Sequence, residues 1–438
     1  MRSTRKLSFI AGLLAFGLVA AACGGSDADT ASGSSGDTGG TSESSGAGSD
    51  GAKATGAGDG ELTIGELLPE TGSLAFLGPP EFAGAQAAKE DIDAAGGVNG
   101  KPLRLLPGDS GDTSTNLANQ TVDKHLADGA DAILGAASSG VSFTVIDKIV
   151  NAGVIHFSPA NTAPDFTTYN DKGLYFRTAP SDVLQGRVLS DLIVEAGATN
   201  VGILARQDPY GEGLLKFTKE PLEEAKVKVT EVVYDPEAQN FDPEVDKIAG
   251  ISPDHVVLIG FDESAKIIQK MIEKGIGPKD VKLWLVDGNV GNAMGEKFTK
   301  AGDLAGVRGT LPAAEASADF KARLKKIDPE LKDFSYAPET YDAVIIMALA
   351  ASVAGTDDPG KVAAEINNVT KGGEKCESYA DCLKLIEDGK DIDYDGVGGP
   401  YEFGDAGEPN SASFAVLQYA EDNRIDDTKT EYKLASIG

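Results

Sequence analysis

From Glu61 onward the chain alternates short apolar runs with longer amphipathic ones, and this alternation restricts the fold more than any other feature. Residues 62–68 read as a strand. Residues 81–95 read as a helix, with Phe82, Ala85, Ala88 and Ile92 on one stripe and Gly96-Gly97 as the stop. Strands are expected at 102–106, 132–135 and 154–157, and helices at 113–128 and 141–151. The rhythm restarts after Pro180, with helices at 182–196, 211–226, 242–250 and 263–275 and strands at 201–205, 227–234, 256–260 and 281–286. Repeated strand–helix–strand units demand parallel sheets covered on both faces. Two such runs in one chain predict an α/β protein of two doubly wound lobes, and ligands of open α/β sheets sit outside the carboxyl ends of the strands. The natural site is the cleft between the lobes.

The first 60 residues follow other rules. Arg2, Arg5 and Lys6 precede an uninterrupted apolar run over 9–22, too short to span a bilayer comfortably, and this reads as a secretory leader over 1–22. The small residues Ala20-Ala21-Ala22 before Cys23 resemble a bacterial lipoprotein signal, in which Cys23 becomes the lipidated first residue; a plain leader with an incidental cysteine is the alternative. Residues 24–60 are almost entirely Gly, Ser, Thr, Ala and Asp, a composition that cannot bury enough apolar surface to offset its ordering entropy. Such a coil would hold the folded part about 30–35 Å from an anchor. No later stretch approaches the ~18 apolar residues of a membrane span.

Removing the leader takes away three positive charges and no negative ones, so the formal net charge falls from −30 to −33. A chain this acidic repels nucleic acid and anionic lipid surfaces. Apart from Cys23, only Cys376 and Cys382 are present, with five residues between them. In an exported protein such a pair is expected to oxidise into a small loop, the other reading being a metal site without a nearby third ligand. Asp391, Asp393, Asp395 and Glu402 fit the spacing of a calcium loop, with Gly396 at its sixth position. Gly398 replaces the usual apolar residue and Pro400 breaks the exit, so a solvated acidic turn is the favoured reading, and no metal or cofactor is expected. His125, His156 and His255 are scattered, and no nucleophile elbow, zinc-protease pair, phosphate loop or dinucleotide fingerprint is present, which argues against an enzyme.

Several segments resemble the branched-chain amino-acid-binding family of type I periplasmic solute-binding proteins of ABC transporters. They are Asp91-Ile-Asp-Ala-Ala-Gly-Gly-Val-Asn-Gly-Lys-Pro-Leu103, Gly153-Val-Ile-His-Phe-Ser-Pro-Ala-Asn-Thr162, Phe176-Arg-Thr-Ala179, Tyr210-Gly-Glu-Gly213 and, more weakly, Thr340-Tyr-Asp-Ala343. Their order and spacing hold over residues 61–438. The resemblance implies lobes of 61–180 with 311–413 and of 181–310 with 414–438, joined by a three-crossing hinge near Pro180, Leu311 and Ser413. It also makes 399–403 a strand.

The resemblance places a ligand's carboxylate against Ser139, Ala160 and Thr162 of the first lobe, and its ammonium against Asp287 of the second. A hydroxyl beside exposed backbone amides at a helix start suits an anion. Tyr210, Phe261 and Tyr336 correspond to aromatic walls. Leu77 stands where the family often has an aromatic, and Ala137 where it often has a larger aliphatic. The first-lobe disulfide of the enterobacterial members is replaced by Gly111 and Ser138. The implied function is reversible capture of a small amino acid, branched-chain or another aliphatic first, or of an amide, for delivery to ABC permease subunits by a lipoprotein anchored outside the cytoplasmic membrane. A ligand-sensing lipoprotein that reports to a receptor is the alternative.

Overall fold

The computed structural model describes residues 58–437, and the expected leader (1–22), the lipidation site Cys23 and nearly all of the tether lie outside them. The first lobe opens with β1 (Thr63–Leu67), α1 (Gly78–Ala94), β2 (Arg104–Leu106), α2 (Leu117–Ala127), β3 (Ala132–Gly135), α3 (Ser139–Asn151), β4 (Ile155–Ser158) and β5 (Tyr175–Arg177). These strands form one parallel sheet in the order β2-β1-β3-β4-β5. The chain then crosses into α4 (Asp182–Glu195), β6 (Asn200–Arg206), α5 (Pro209–Glu224), β7 (Lys228–Tyr234), α6 (Asp242–Ala249) and β8 (His255–Ile259). It continues through α7 (Ser264–Glu273), β9 (Lys282–Leu285), α8 (Asn292–Gly295) and β10 (Arg308–Pro312).

After β10 the chain returns to the first lobe for α9 (Ala318–Ile327), α10 (Ala337–Ala354) and α11 (Pro359–Ile366). A small sheet of β11 (Glu374–Cys376), β12 (Ile392–Gly396) and β13 (Gly399–Pro400) encloses α12 (Tyr379–Glu387), where Cys376 and Cys382 are bonded. Finally β14 (Ser411–Gln418) and β15 (Glu431–Ser436) close the second sheet, ordered β15-β14-β10-β9-β8-β6-β7, with β14 antiparallel to its neighbours. The chain therefore passes between the two sheets three times, and the second and third crossings touch where the Ala313 amide donates to the Ser413 carbonyl at 3.0 Å.

Two expected helix starts differ from the structure by three residues or more. α1 begins three residues early because Pro79 and Pro80 sit in its first turn, where a missing N–H costs nothing. α2 begins four residues late because Asp112 accepts from both the amide and the hydroxyl of Ser114, which holds 112–116 as a turn. The expected stripe on α1 is also rotated: Phe82 is partly exposed and Glu81 is buried. Gly84 sets this rotation, because a Cβ there would meet the Ala337 carbonyl at 2.4 Å, so α1 lies directly on α10 along 81, 84, 85 and 88.

α10 is long and apolar enough to cross a membrane by length and composition, and the sequence reading did not anticipate such a helix. A helix apolar on all sides is a core helix when it is covered. Here it is buried between α1, α11 and α12. The calcium-like stretch forms the β12–β13 hairpin. Asp393 and Asp395 both pair with Lys375 at 3.0 and 2.9 Å, and the turn amides of Val397 and Gly398 donate to Asp342 of α10. A turn aimed at a carboxylate has the wrong polarity for a cation, and among the described residues no cluster of three or more metal-ligating side chains exists.

Arg177 at the end of β5 and Glu408 before the third crossing form a buried ion pair. The same guanidinium donates to the carbonyls of Asn161 (3.2 Å) and Ala163 (2.8 Å), so one side chain ties the hinge approach to the turn that carries Thr162. Removing one partner of a buried pair leaves the other charged and uncompensated. Arg177→Met is expected to destabilise the protein by about 3–5 kcal/mol, measured as a lower urea midpoint at unchanged slope.

Candidate functional site

Parallel strands end on the same side of their sheet, so the loops after β3, β4, β6, β8 and β9 converge. Ser139 opens α3 after β3, Ala160 and Thr162 follow β4, Tyr210 opens α5 after β6, Phe261 follows β8 and Asp287 follows β9. Tyr336 precedes α10, and Leu77 precedes α1. All eight of these sequence-predicted residues line one small cavity between the lobes, together with Leu74, Ala137 and Gly288. Its free space is about 10 Å³, room for roughly one water molecule, so an amino acid enters only when the lobes part.

The first-lobe wall is rigidly built. Asn161 donates to the carbonyls of Ala136 and Ala137, both at 2.9 Å, and accepts from the Tyr175 hydroxyl at 3.1 Å. This locks the turn after β4 against the loop after β3. Ser138 caps α3 through Val141, which leaves Ser139 as the first helical residue, its hydroxyl accepting from the Ala163 amide at 3.2 Å. The Ala160 amide reaches the Ser158 hydroxyl only at 3.3 Å. Hydroxyls and amides thus make up the polar part of this wall.

The second-lobe wall is aromatic and acidic. Tyr210 and Phe261 stack at 5.3 Å, and the Arg206 guanidinium lies 3.5 Å from the Phe261 ring centre on its far side. Arg206 is held by Asp208 and Glu263, so the aromatic wall is braced from behind. Asp287 accepts hydrogen bonds from the Tyr210 hydroxyl (2.8 Å), the Tyr336 hydroxyl (2.8 Å) and the Gln185 amide (2.9 Å). Tyr336 belongs to the first lobe and Asp287 to the second, so this contact bridges the cleft. Tyr336 sits at φ +60°, a left-handed backbone that turns its ring into the cleft before α10 begins.

Burial raises the pKa of Asp287 above the ordinary carboxylate range, and its three neutral donors pull it partly back. Asp182, the first residue of α4 after the first crossing, is pushed well above its ordinary value by burial and then by the charge of Asp287, with Thr162 and Arg177 offsetting only part. Sequence reasoning missed both Asp182 and Gln185. Ser181-Asp182 reads as an ordinary helix start, and Gln185 as a helix-surface residue; only the crossing's position one residue earlier hinted otherwise.

Where the lobes meet beside the cavity, Gly213 of α5 faces Pro164 so closely that a Cβ would lie 2.6 Å from its ring. The three histidines lie elsewhere in structural roles. His125 and His156 bond the carbonyls of Glu66 (2.8 Å) and Gly135 (2.7 Å), and His255 pairs with Asp254.

A family model described as periplasmic binding protein matches residues 61–424. The chain belongs to this family. It is a solute-binding protein and not an enzyme, and its place of action is extracytoplasmic. It is 30% identical over 316 residues to an amino acid binding protein of Pseudomonas aeruginosa, covering 69% of this chain and 81% of that one. It is also 30% identical over 317 residues to a Leu/Ile/Val-binding protein homolog of Brucella abortus, with the same coverage. Its fold matches the crystal structures of a leucine binding protein from Thermotoga maritima (TM-score 0.70, 19% identity, 86% of this chain and 99% of that one) and of a branched-chain amino acid transporter substrate-binding protein from Streptococcus pneumoniae with isoleucine (TM-score 0.69, 21%, 86% and 100%). A Rhodopseudomonas palustris solute-binding protein in complex with benzoate shares the fold equally well (TM-score 0.68, 18% identity, 86% and 97%).

An acid whose folded-state value is raised holds its proton more tightly when folded, so its stabilising contribution is complete below the unfolded value and fades as pH rises toward the folded one. Asp182→Asn removes this dependence. Its unfolding free energy is expected to exceed that of the parent at pH 8 by on the order of 1 kcal/mol or more, with the gap closing toward pH 4, measured by denaturant titration at both values.

Proposed function

We propose that the chain is the lipid-anchored binding protein of an ABC importer, capturing a small amino acid, branched-chain or another aliphatic first, by closing its two lobes around it. The observation that carries this reading is the division of polar groups across one cavity: the Ser139 and Thr162 hydroxyls and backbone amides from one lobe, the Asp287 carboxylate from the other. An α-amino acid presents the complementary pair. Its carboxylate meets Ser139, Ala160 and Thr162, its ammonium meets Asp287, and the side chain packs among Leu74, Leu77, Tyr210 and Phe261. Binding energy selects the closed state only when both lobes touch the ligand, which places the two charged ends on opposite sides. The relatives' names support the same ligand class. Closure would create the outer surface that the permease reads, with Cys23 keeping the protein at the membrane.

Burial holds both Asp287 and Asp182 above the ordinary carboxylate range, and an arriving ammonium favours their ionised forms. Binding is therefore expected to release protons and to strengthen as pH rises from 5 to 8, read by calorimetry in buffers of different ionisation enthalpy. Titration of the purified protein with the twenty amino acids and small amides should give one clear group of binders. Asp287→Ala should weaken that binding by about 2–5 kcal/mol, and Ser139→Ala by about 1–3 kcal/mol. If none of these compounds binds, or if Asp287→Ala leaves affinity unchanged, the ligand class is wrong.

Gly213→Val leaves every lining residue in place while obstructing the approach of Pro164. Hinge closure predicts a loss of affinity of about 10-fold or more, with the protein more open by small-angle scattering at saturating ligand.

A further inference from the structure

A second cavity, of about 640 Å³, opens on the first lobe beside α1. Pro79, Phe82, Leu105, Pro107 and Ile327 provide its apolar lining. Its size is ordinary for a small-molecule site. Glu66, Glu70 and Asp328 add three acids.

Glu66 is the unexpected member. Side chains alternate along a strand, and a Cβ on Gly65 would meet the His125 ring of α2 at 2.6 Å, so Glu66 projects from the opposite face of β1, under α1. It is only 5% exposed, and its carboxylate has no hydrogen-bond or ion-pair partner among the described residues. A buried carboxylate without a partner in an apolar wall is costly. The nearest cation on the wall, Lys89, is committed to Asp93 (2.5 Å) and to the Leu103 carbonyl (2.7 Å). Pro79 and Pro80 remove N–H donors from the start of α1, so this helix end offers little to an anion.

We propose that this cavity is a second ligand site, taking a small organic monocation: a primary ammonium or a guanidinium on an apolar stem. The charge lies against Glu66, and the stem runs along Phe82, Leu105 and Ile327. Free amines and the basic side chains of a protein carry the same chemistry, and the experiment separates them.

The groups facing Glu66 are Glu70 from the loop after β1, Lys89 from α1 and Asp328 after α9, while on the other face of β1 the His125 ring bonds the Glu66 carbonyl. Burial, then the charge of Glu70, raises Glu66 to about 7, so acidification protonates the carboxylate and releases a bound cation.

The test is calorimetric titration of the full chain with n-pentylammonium, with 1-pentanol as the neutral isostere, and with a neutral peptide carrying one central lysine. Pentylammonium is expected to bind at least 10-fold more tightly than pentanol at pH 8, and to lose at least 10-fold on moving to pH 5.5. Glu66→Gln should abolish the preference for the cation, and Phe82→Ala should weaken pentylammonium and pentanol alike. A peptide that binds more tightly than the free amine identifies a protein side chain as the source; the reverse identifies a free amine. Equal binding of amine and alcohol, retention of cation binding in Glu66→Gln, or loss of it in Asp287→Asn alone would overturn the proposal, the last by placing the amine in the cleft. Should Glu66→Gln fold poorly, the pH profile and Phe82→Ala decide the matter on their own.

Discussion

The carboxylate of Asp287 lies in the interior among neutral donors, two phenols and an amide, supplied by both lobes. Those donors satisfy its hydrogen-bonding capacity without balancing its charge. Burying a charge is tolerable only when something opposite accompanies it, and among the donors around Asp287 nothing is cationic. The second acid, Asp182, makes the deficit larger. The closed arrangement of the two lobes therefore favours the protonated acids, a preference that a cation would reverse, and the second-lobe side of the cleft is built to hold Asp287 in place. Tyr210 reaches it because Asp208 caps α5 by accepting from the Gly211 amide at 2.8 Å. Tyr336 reaches it because the residue before α10 adopts a left-handed backbone.

This arrangement opposes stability to function in a definable way. Replacing buried charges by neutral groups generally helps a fold, and buried acids are kept where binding needs them. The first lobe shows a contrasting solution in Asp342, which receives the hydroxyls of Tyr394 (2.6 Å) and Tyr401 (2.7 Å) and two backbone amides. Burial still raises it to about 6. Asp342 joins α10 to the β12–β13 hairpin beside the crossings, and four donors suit a structural acid. Asp287, with fewer donors and a cavity beside it, is arranged to exchange a partner.

Much of the architecture was legible in the chain because apolar period and turn residues agree over residues 61–286. Boundaries failed where a local rule was overlooked: the tandem prolines that begin α1 and the Asp112 turn that delays α2. The rotation of α1 was not legible, because Phe82 outweighs Gly84 in any count of hydrophobicity, whereas in three dimensions the absent Cβ decides which face meets α10. The eight cleft residues were recognised through family resemblance and not through periodicity, since residues scattered from 77 to 336 are brought together only by strand ends. Asp182 and Gln185 escaped because each has an ordinary helical explanation, and Glu66 because a lone acid within a strand reads as a solvent-facing position.

The outer cavity of the first lobe and the cavity between the lobes share a wall. Residues 74–78 lead into α1, with Leu74 and Leu77 lining the cleft while Ala75 and Gly78 line the outer cavity. A Cβ on Gly78 would lie 2.1 Å from the Pro69 carbonyl, so this segment is packed tightly against the loop that carries Glu70. Movement of such a segment cannot be confined to one face, because close-packed groups transmit displacement. Ala75 and Leu77, two residues apart, face the two cavities from this one packed segment. The start of α1 thus lines both the outer cavity and the pocket between the lobes.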